Sequence, residues 1–523
     1  MLLLTAPMQH IAENSAVEQD PKRVKLWLDK LPIENVQLTV DELISTLKPF
    51  NELQIDVRTR IKLLEIYHRS FETILYTYDD LHLRTLPLNV EQRRKLSDDI
   101  MWVYLELANG YKSIVKSVYE GEEESSSHQS ISLSIYRAIE LISNALLYAF
   151  RDHQTPPPLV YLEIHQLYYL AEQYNIENKD IGKHGNRSSK ATIQNLYKQI
   201  MLLIAGDAYG YDGSQVNELY LLLEKYTACS QLTSAIQAGQ NSTEFYIDFT
   251  EDVGPRNGLN VNIQLPTQRI LDVAPVLEML IADLRSTKKH SLDSLQAHEQ
   301  RLLRLFCNNL RQTSTDRTLR EPSSETAHVA YGVEATCYYI SHREKFLEQE
   351  VEEAVNGIEV RDIDMFEAEH ELSTWKIANL NPKGRMLVSD LAEGTHYSVG
   401  EIVSSVEFLS KTQQHLIVTG FIRWLRYIDD KVQMGIEFLD GIPISVNCSA
   451  ELADSDEPIN FPALYFPSNK GTKQPASLLF EYSYFSHAKT FIVDVNGQRY
   501  RIEPVRINKE SPVHVQFSFR IIK

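Results

Sequence analysis

The side chains best suited to catalysis or metal binding fall into no arrangement that is typical of an enzyme or a zinc site. The four cysteines lie far apart and form no C-x-x-C pair, which excludes a zinc ribbon or a disulfide scaffold and fits a reducing cytosol. They are Cys229, Cys307, Cys337 and Cys448. His298 precedes Glu299, but the second histidine of an H-E-x-x-H zinc motif is missing. The chain also lacks the G-x-S-x-G elbow and both glycine-rich phosphate loops. We therefore predict a protein that is not an enzyme and uses no metal or cofactor.

The charge balance narrows the class of partner. The 523 residues include 52 Lys and Arg against 71 Asp and Glu, which gives a net charge of −19. A general nucleic-acid surface needs a basic stripe to neutralise phosphates, so we expect no nucleic-acid partner, although a local basic pocket for a small anion is still possible. No run of about 18 apolar residues occurs, and the apolar start of the chain lacks the basic flank of a secretory signal. We expect a cytoplasmic protein without membrane insertion.

The first half of the chain carries the hydrophobic period of α-helices. Apolar residues recur every three or four positions, which keeps one helix face apolar. Such series lie at 61–78, 101–118, 135–149, 162–174, 193–204 and 216–226. An acidic, serine-rich stretch at 121–127, three prolines at 156–158 and a polar loop at 183–189 separate them. We predict an all-α bundle or an irregular array of helix pairs, in which the many tyrosines either fill the core or line a groove.

The second half alternates with the period of β-strands. Between the halves, 245–309 has mixed character, with a short strand at 245–249 and helices at 271–284 and 295–305. From 417 onwards, alternating apolar residues flank Asp429-Asp430, and a second pair of runs flanks Asn496-Gly497, so each predicts a hairpin. The segment 328–340 is also strand-like, and 513–521 alternates without a fault. These patterns predict antiparallel barrels or sandwiches.

One region of this β half matches a known family. Three arginines, Arg311, Arg317 and Arg320, lie in a polar stretch before the strand at 328–340. The sequence Asn379-Leu-Asn381-Pro-Lys-Gly384 follows, and later strands read V-G-x-x-V at 399–403, G-x-I-R-W at 420–424 and M-G-I-x-F at 434–438. In this order the motifs resemble the PilZ domain family, bacterial receptors of cyclic di-GMP. The resemblance covers residues 311–439, a quarter of the chain, and we can assign the helical half to no family.

The resemblance implies a small six-stranded barrel and a cyclic-di-GMP site. It places Arg317 and Arg320, with Arg311 as third choice, in the arginine motif, and Asn379, Asn381 and Gly384 in the second motif. Arginine binds phosphate in a fork and stacks on purines, and an Asn can read a guanine edge. In the family pattern these arginines precede the barrel and the second motif lies on it.

Both motifs depart from the family pattern. Arg317 and Arg320 form R-x-x-R, one residue short of R-x-x-x-R, and Asn381 stands where a serine is expected. About sixty residues separate the two motifs, including an acidic stretch at 344–371. Two interpretations therefore stay open. The arginines belong to a ligand site or to a solvated linker, and 379–384 is a guanine-reading motif or a simple strand turn. Trp424 we expect to point into the barrel, with Arg423 outward.

We predict a multidomain α-plus-β protein with four regions. These are an all-helical interaction region at 1–238, a mixed connector at 239–310, a PilZ-like barrel at 311–460 and a β module at 461–523. The predicted function is a non-catalytic effector that binds cyclic di-GMP and changes how the helical half meets an unidentified protein partner. The alternative is a PilZ-like scaffold that has lost its nucleotide and acts only through protein partners.

Overall fold

The protein is described by a computed structural model in which most of the chain is defined. The described residues are 3–11, 17–32, 35–82, 90–121, 128–182, 190–234, 243–257, 265–286, 294–315, 321–341, 372–391, 397–409, 414–450, 458–468, 475–488, 490–495 and 497–522. The chain divides into two compact units. The first comprises 1–208 and 213–316, and the second comprises 209–212 and 317–523.

The first unit is mainly helical, as the hydrophobic period predicts. Its helices are α1 (Pro21–Leu28), α2 (Val36–Glu52), α3 (Val57–His82), α4 (Val90–Tyr119), α5 (His128–Arg151), α6 (Val160–Gln173), α7 (Ile193–Ala205), α8 (Gly213–Leu223), α9 (Ala274–Ser286) and α10 (Ser294–Thr315). Helix α5 is central, because it packs against α4, α6, α7 and α8. Its predicted apolar face is fully buried, so this face forms the middle of the helical core.

Local capping fixes where several helices begin. Asp20 and Asn35 accept hydrogen bonds from the backbone N–H groups of Lys22 (2.9 Å) and Leu38 (3.1 Å) at the starts of α1 and α2. Helix α6 is capped from a distance: the Asp252 carboxylate accepts the backbone N–H groups of Leu159, Tyr161 and Leu162 at 2.7–3.1 Å. The three prolines precede this helix and its N-cap, so their missing N–H groups interrupt no hydrogen bond within it.

The tyrosines of the helical half mainly fill its core. Tyr67, Tyr104, Tyr111 and Tyr168 are buried, whereas Tyr76 is 80% exposed. Core packing is therefore the better description of this set, as expected for aromatic side chains on amphipathic helices.

A small antiparallel sheet belongs to the first unit. Its strands are β1 (Gln231–Thr233), β2 (Glu244–Asp248), β3 (Arg256–Asn257) and β4 (Gln268–Asp272), in the order β1-β4-β2-β3. The strand expected at 245–249 is present. The helix expected from 271 begins later, at Ala274, because Leu271 lies in β4. The Asp272 carboxylate accepts the N–H of Ala274 at 2.9 Å and so marks the change from strand to helix.

The second unit begins with a closed six-stranded antiparallel barrel. Its strands are β6 (Thr326–Tyr331), β7 (Ser373–Asn381), β8 (Gly384–Asp390), β9 (Ile402–Leu409), β10 (Gln414–Ile428) and β11 (Lys431–Phe438). They close in the order β7-β6-β9-β10-β11-β8, since β8 also pairs with β7. The short strand β5 (Glu321–Pro322) also pairs with β7, near the end of that strand. The barrel core contains Trp375, Ile377, Leu387, Val432, Met434 and Ile436.

One strand expectation in this region is wrong. The segment 328–340 is strand only to Tyr331, and α11 (Val333–Ser341) follows. Gly332 has a φ of 91°, a conformation that ends the strand at little cost for glycine. Its carbonyl then accepts the N–H of Thr336 at 3.0 Å in the first turn of the helix.

The predicted hairpin around Asp429-Asp430 is present, but the predicted orientation of Trp424 is wrong. A β-bulge shifts the register of β10 against β11 between Ile422 and Trp424. Ile422 and Leu425 therefore both reach the core. Trp424 is left half-buried beside Gly435, where a Cβ would lie 2.1 Å from the indole nitrogen. The indole thus covers the outer face of the barrel.

The end of the chain forms a second closed six-stranded barrel. Its strands are β12 (Ile444–Ala450), β13 (Ile459–Phe466), β14 (Ser477–Glu481), β15 (Phe491–Val495), β16 (Gln498–Glu510) and β17 (His514–Ile522), with a short helix α12 (Tyr482–His487). The order around it is β12-β13-β14-β17-β16-β15. Strand β12 completes this barrel by pairing with β13 and β15. The sequence patterns placed residues 444–450 in the first barrel, whereas the structure places them in the second.

The two barrels share one topology. If each barrel's strands are numbered 1 to 6 along the chain, both close in the order 1-2-3-6-5-4 with antiparallel neighbours. Their outer faces meet at a buried apolar cluster that also includes α11. The cluster contains Val333, Cys337, Ile402, Phe421, Leu439, Leu464, Phe466 and Leu479. The second unit is therefore a docked pair of barrels with the same strand order.

Candidate functional site

The hairpin between β7 and β8 carries the predicted asparagine-glycine motif. Asn381 and Gly384 are paired and Pro382-Lys383 forms the two-residue turn. The Lys383 backbone N–H donates to Asn381 Oδ1 at 2.8 Å, and Arg385 Nη1 donates to the Asn381 carbonyl at 2.7 Å. The side chain of Asn381 is thus engaged in the turn itself, which favours the turn interpretation at this position.

Asn379 occupies a different position on the same hairpin. A bulge between Ile377 and Asn379 leaves Ile377 in the core and turns Asn379 to the outer face. Asn379 Nδ2 donates to Met386 Sδ at 3.1 Å, a weak acceptor. The side chain is half-buried, so its amide keeps hydrogen-bonding capacity at this face of the barrel.

Gly384 is needed for strand packing. A Cβ at this position would lie 2.3 Å from the backbone oxygen of Ile436. Gly384 also lies directly opposite Glu437 on β11. Because Gly384 has no side chain, Glu437 is the side chain that covers this register position on the outer face.

Glu437 is the centre of a charged cluster that sequence patterns did not reveal. Lys509 Nζ, from the second barrel, lies 2.7 Å from Glu437 Oε1, and Arg423 Nε lies 3.8 Å from Oε2. Burial would raise the pKa of Glu437, but Lys509 and Arg423 outweigh it and the pKa lies below its ordinary value. Residues 437 and 509 are far apart in sequence, so only the docking of the barrels brings them together.

The predicted arginines are described only in part. Arg317 and Arg320 lie outside the described residues. Glu321, the residue after Arg320, pairs with Leu380, and Pro322 pairs with Asn379. Arg311 lies exposed on α10 in the first unit. Its assignment to the site stays a prediction.

A second titratable pair joins the barrels at the start of β9. His514 is fully buried, and its Nε2 lies 3.3 Å from Glu401 Oε1. Burial raises the pKa of Glu401 to about 7, and the nearby Glu481 adds to the rise although the backbone N–H of Ile402 opposes it. Ser511 Oγ donates to the carbonyl of Gly400 at 2.7 Å beside this pair.

The described part of the chain contains no group of three or more His, Cys, Asp or Glu side chains placed to hold a metal ion. None of its helices is both long and apolar enough to cross a membrane.

Comparison with known proteins bears on both units. Residues 22–237 match the family model described as the N-terminal domain of the cyclic-di-GMP receptor FimW. The chain is also similar to the cyclic-di-GMP receptor FimW of Pseudomonas aeruginosa. The alignment spans 581 positions at 22% identity and covers 99% of this chain and 93% of that receptor. The chain is thus similar to a receptor along almost its whole length. The matched family segment is the helical half, which sequence patterns alone assigned to no family.

Proposed function

We propose that this chain is a non-catalytic, cytoplasmic receptor of cyclic di-GMP, with the ligand on the outer face of its first, PilZ-like barrel. The observation that carries the proposal is the pairing of β5 with β7. Glu321 and Pro322 follow the predicted arginine motif in the sequence and pair with Leu380 and Asn379. The strand after that motif therefore lies beside the strand that carries Asn379 and Asn381.

The predicted arginines and the asparagine on β7 have side chains suited to binding a cyclic dinucleotide. Guanidinium groups bind phosphate oxygens in pairs and stack on purine faces. Asn379, half-exposed on the adjacent strand, offers an amide to a guanine edge. Asn381 and Gly384 have a supporting role. Asn381 fixes the hairpin turn, and Gly384 allows β8 to approach β11.

The similarity to FimW supports the same ligand. That protein is named as a cyclic-di-GMP receptor, and the similarity extends over both units of this chain. A receptor acts by a change in population: the ligand favours the state in which the predicted arginines and the barrel converge on it. We propose that this convergence changes how the helical unit binds a protein partner.

The test is calorimetric titration of the full-length chain with cyclic di-GMP, with GTP as the control ligand. We expect saturable binding that falls at least 100-fold in the Arg317→Ala/Arg320→Ala variant, since each charged hydrogen-bonding contact contributes about 1.5–3 kcal/mol. Arg499→Ala/Arg506→Ala is the matched control. It removes two exposed arginines from β16 of the second barrel and should bind as the wild type does.

Absence of binding by the folded wild-type chain would refute the proposal. It would leave the alternative, a PilZ-like scaffold that acts through protein partners alone. Arg311→Ala tests the third arginine separately, and unchanged affinity would remove Arg311 from the site.

A further inference from the structure

We propose that the second barrel supplies Lys509 to the ligand site of the first. There Lys509 and Arg423 form a phosphate-binding pair. The carboxylate of Glu437, which contacts both cations, competes with the ligand phosphate and so weakens its binding. This inference rests on the proposed function and adds to it a cation from another domain and an internal competitor.

The position of the cluster is the first step. Glu437 lies opposite Gly384, so it adjoins the end of the β7–β8 hairpin on the outer face. The Phe438 backbone N–H donates to the Lys383 carbonyl at 2.8 Å, which ties the hairpin turn to the same end of β11. The cluster is therefore next to the turn that holds Asn381.

The charge of the cluster is the second step. Three cationic side chains, Lys383, Arg423 and Lys509, act on Glu437, so these four groups carry a net charge of about +2 in a chain whose total is −19. Lys509 also donates to the Phe438 carbonyl at 3.3 Å, which holds the ammonium over the end of β11. Such a local excess of positive charge attracts a phosphate.

The effect of Glu437 is the third step. Its carboxylate is the anion that Lys509 and Arg423 contact, and its side chain is only 30% exposed. A ligand phosphate placed beside it experiences repulsion between like charges in a region of reduced dielectric. Removal of the carboxylate charge therefore removes this repulsion and leaves Lys509 able to bind the ligand phosphate.

The experiment compares variants of the full-length chain in calorimetric titration with cyclic di-GMP. Glu437→Gln should bind about 5–10-fold more tightly than the wild type, and Lys509→Met about 10-fold more weakly. Lys509→Arg keeps the charge and should bind within about twofold of the wild type. Glu503→Gln and Arg520→Met break an exposed ion pair (2.6 Å) elsewhere in the second barrel and should leave affinity unchanged.

Opposite changes in affinity in these two variants distinguish a ligand-binding cluster from a merely structural ion pair. Glu437→Gln and Lys509→Met break the same contact, so a purely structural role would shift affinity in the same direction in both, and that result would overturn the inference. Wild-type affinity in both variants, together with loss in Arg317→Ala/Arg320→Ala, would also overturn it and leave the proposed function standing. No binding by the wild type would refute both. Thermal unfolding of each variant confirms that the protein tested is folded.

Discussion

Glu401 and His514 are a carboxyl and an imidazole buried against each other where the two barrels meet. Their closest oxygen and nitrogen are 3.3 Å apart. A buried charge without a partner is costly, so a proton on the Glu401 carboxyl favours the docked state. The titratable groups that face Glu401 include His514 on β17, Glu481 at the end of β14 and Tyr331 at the end of β6.

We predict that the second unit loses stability as pH rises from about 4.5 to 7. The pKa of Glu401 in the folded chain, about 7, is higher than its ordinary value of 4.5, so the folded state binds this proton more tightly. That contribution, on the order of 3 kcal/mol, is complete below pH 4.5 and lost above pH 7. Glu401→Gln should remove this dependence.

The measurement is urea unfolding at pH 5 and pH 8, followed by tryptophan fluorescence. In a Trp27→Phe/Trp102→Phe background the remaining tryptophans, Trp375 and Trp424, both lie in the first barrel. Glu503→Gln, exposed on β16, is the control. If Glu401→Gln and the parent show the same change of stability between the two pH values, the assignment to Glu401 is wrong.

Hairpins and helices of this chain could be read from sequence because their signals are local. Asp429-Asp430 lies between paired strands, with Asp429 at a φ of 51°, a conformation that Asp tolerates. The bulge that turned Trp424 outward has no such local signal, since it depends on how β10 meets β11. For the same reason the sequence indicated Asn379, Asn381 and Gly384 but not Glu437 with Lys509, which only docking brings together.

Helices α4 and α6 are joined by an ion pair inside the helical core. Lys112 and Glu163 are both nearly fully buried, and Lys112 Nζ lies 2.7 and 2.8 Å from the two carboxylate oxygens. Thr5 adds its hydroxyl and its backbone N–H to the same pair. Burial lowers the pKa of Lys112 although Glu163 opposes this effect.

Single substitutions in this pair should be severe and the double substitution milder. Lys112→Met leaves a buried carboxylate and Glu163→Gln leaves a buried ammonium, so each should reduce the free energy of unfolding by about 3–5 kcal/mol. Lys112→Met/Glu163→Gln removes both charges and should recover part of that loss. Circular dichroism at 222 nm during urea unfolding reports on the helical unit. Additive losses in the double variant would contradict a coupled pair.

At the scale of the whole molecule, the second unit depends on close contact between its two barrels. Gly400, with a φ of 85°, approaches Pro512 so closely that a Cβ would lie 2.4 Å from Pro512 Cδ. Gly332 has a similar φ of 91° with open space around the Cβ position. The two glycines therefore share a left-handed backbone conformation but differ in what a side chain would meet.

This difference gives a matched pair of variants. Gly332→Ala should cost about 1–2 kcal/mol, the price of a left-handed conformation for a residue with a Cβ. Gly400→Ala should cost about 1–3 kcal/mol more, because the added methyl group pushes the barrels apart. Urea unfolding with Trp375 and Trp424 as reporters measures both. Equal losses would show that the barrels are not held in this contact.

The presence of both barrels on one polypeptide has a consequence for dilution. A contact between separate protein chains dissociates as concentration falls, whereas two barrels on one polypeptide meet at an effective concentration set by the short segment between Phe438 and Ile444. The docked surfaces therefore stay together even when the protein is dilute. The occupancy of any site they share depends on the amount of ligand alone.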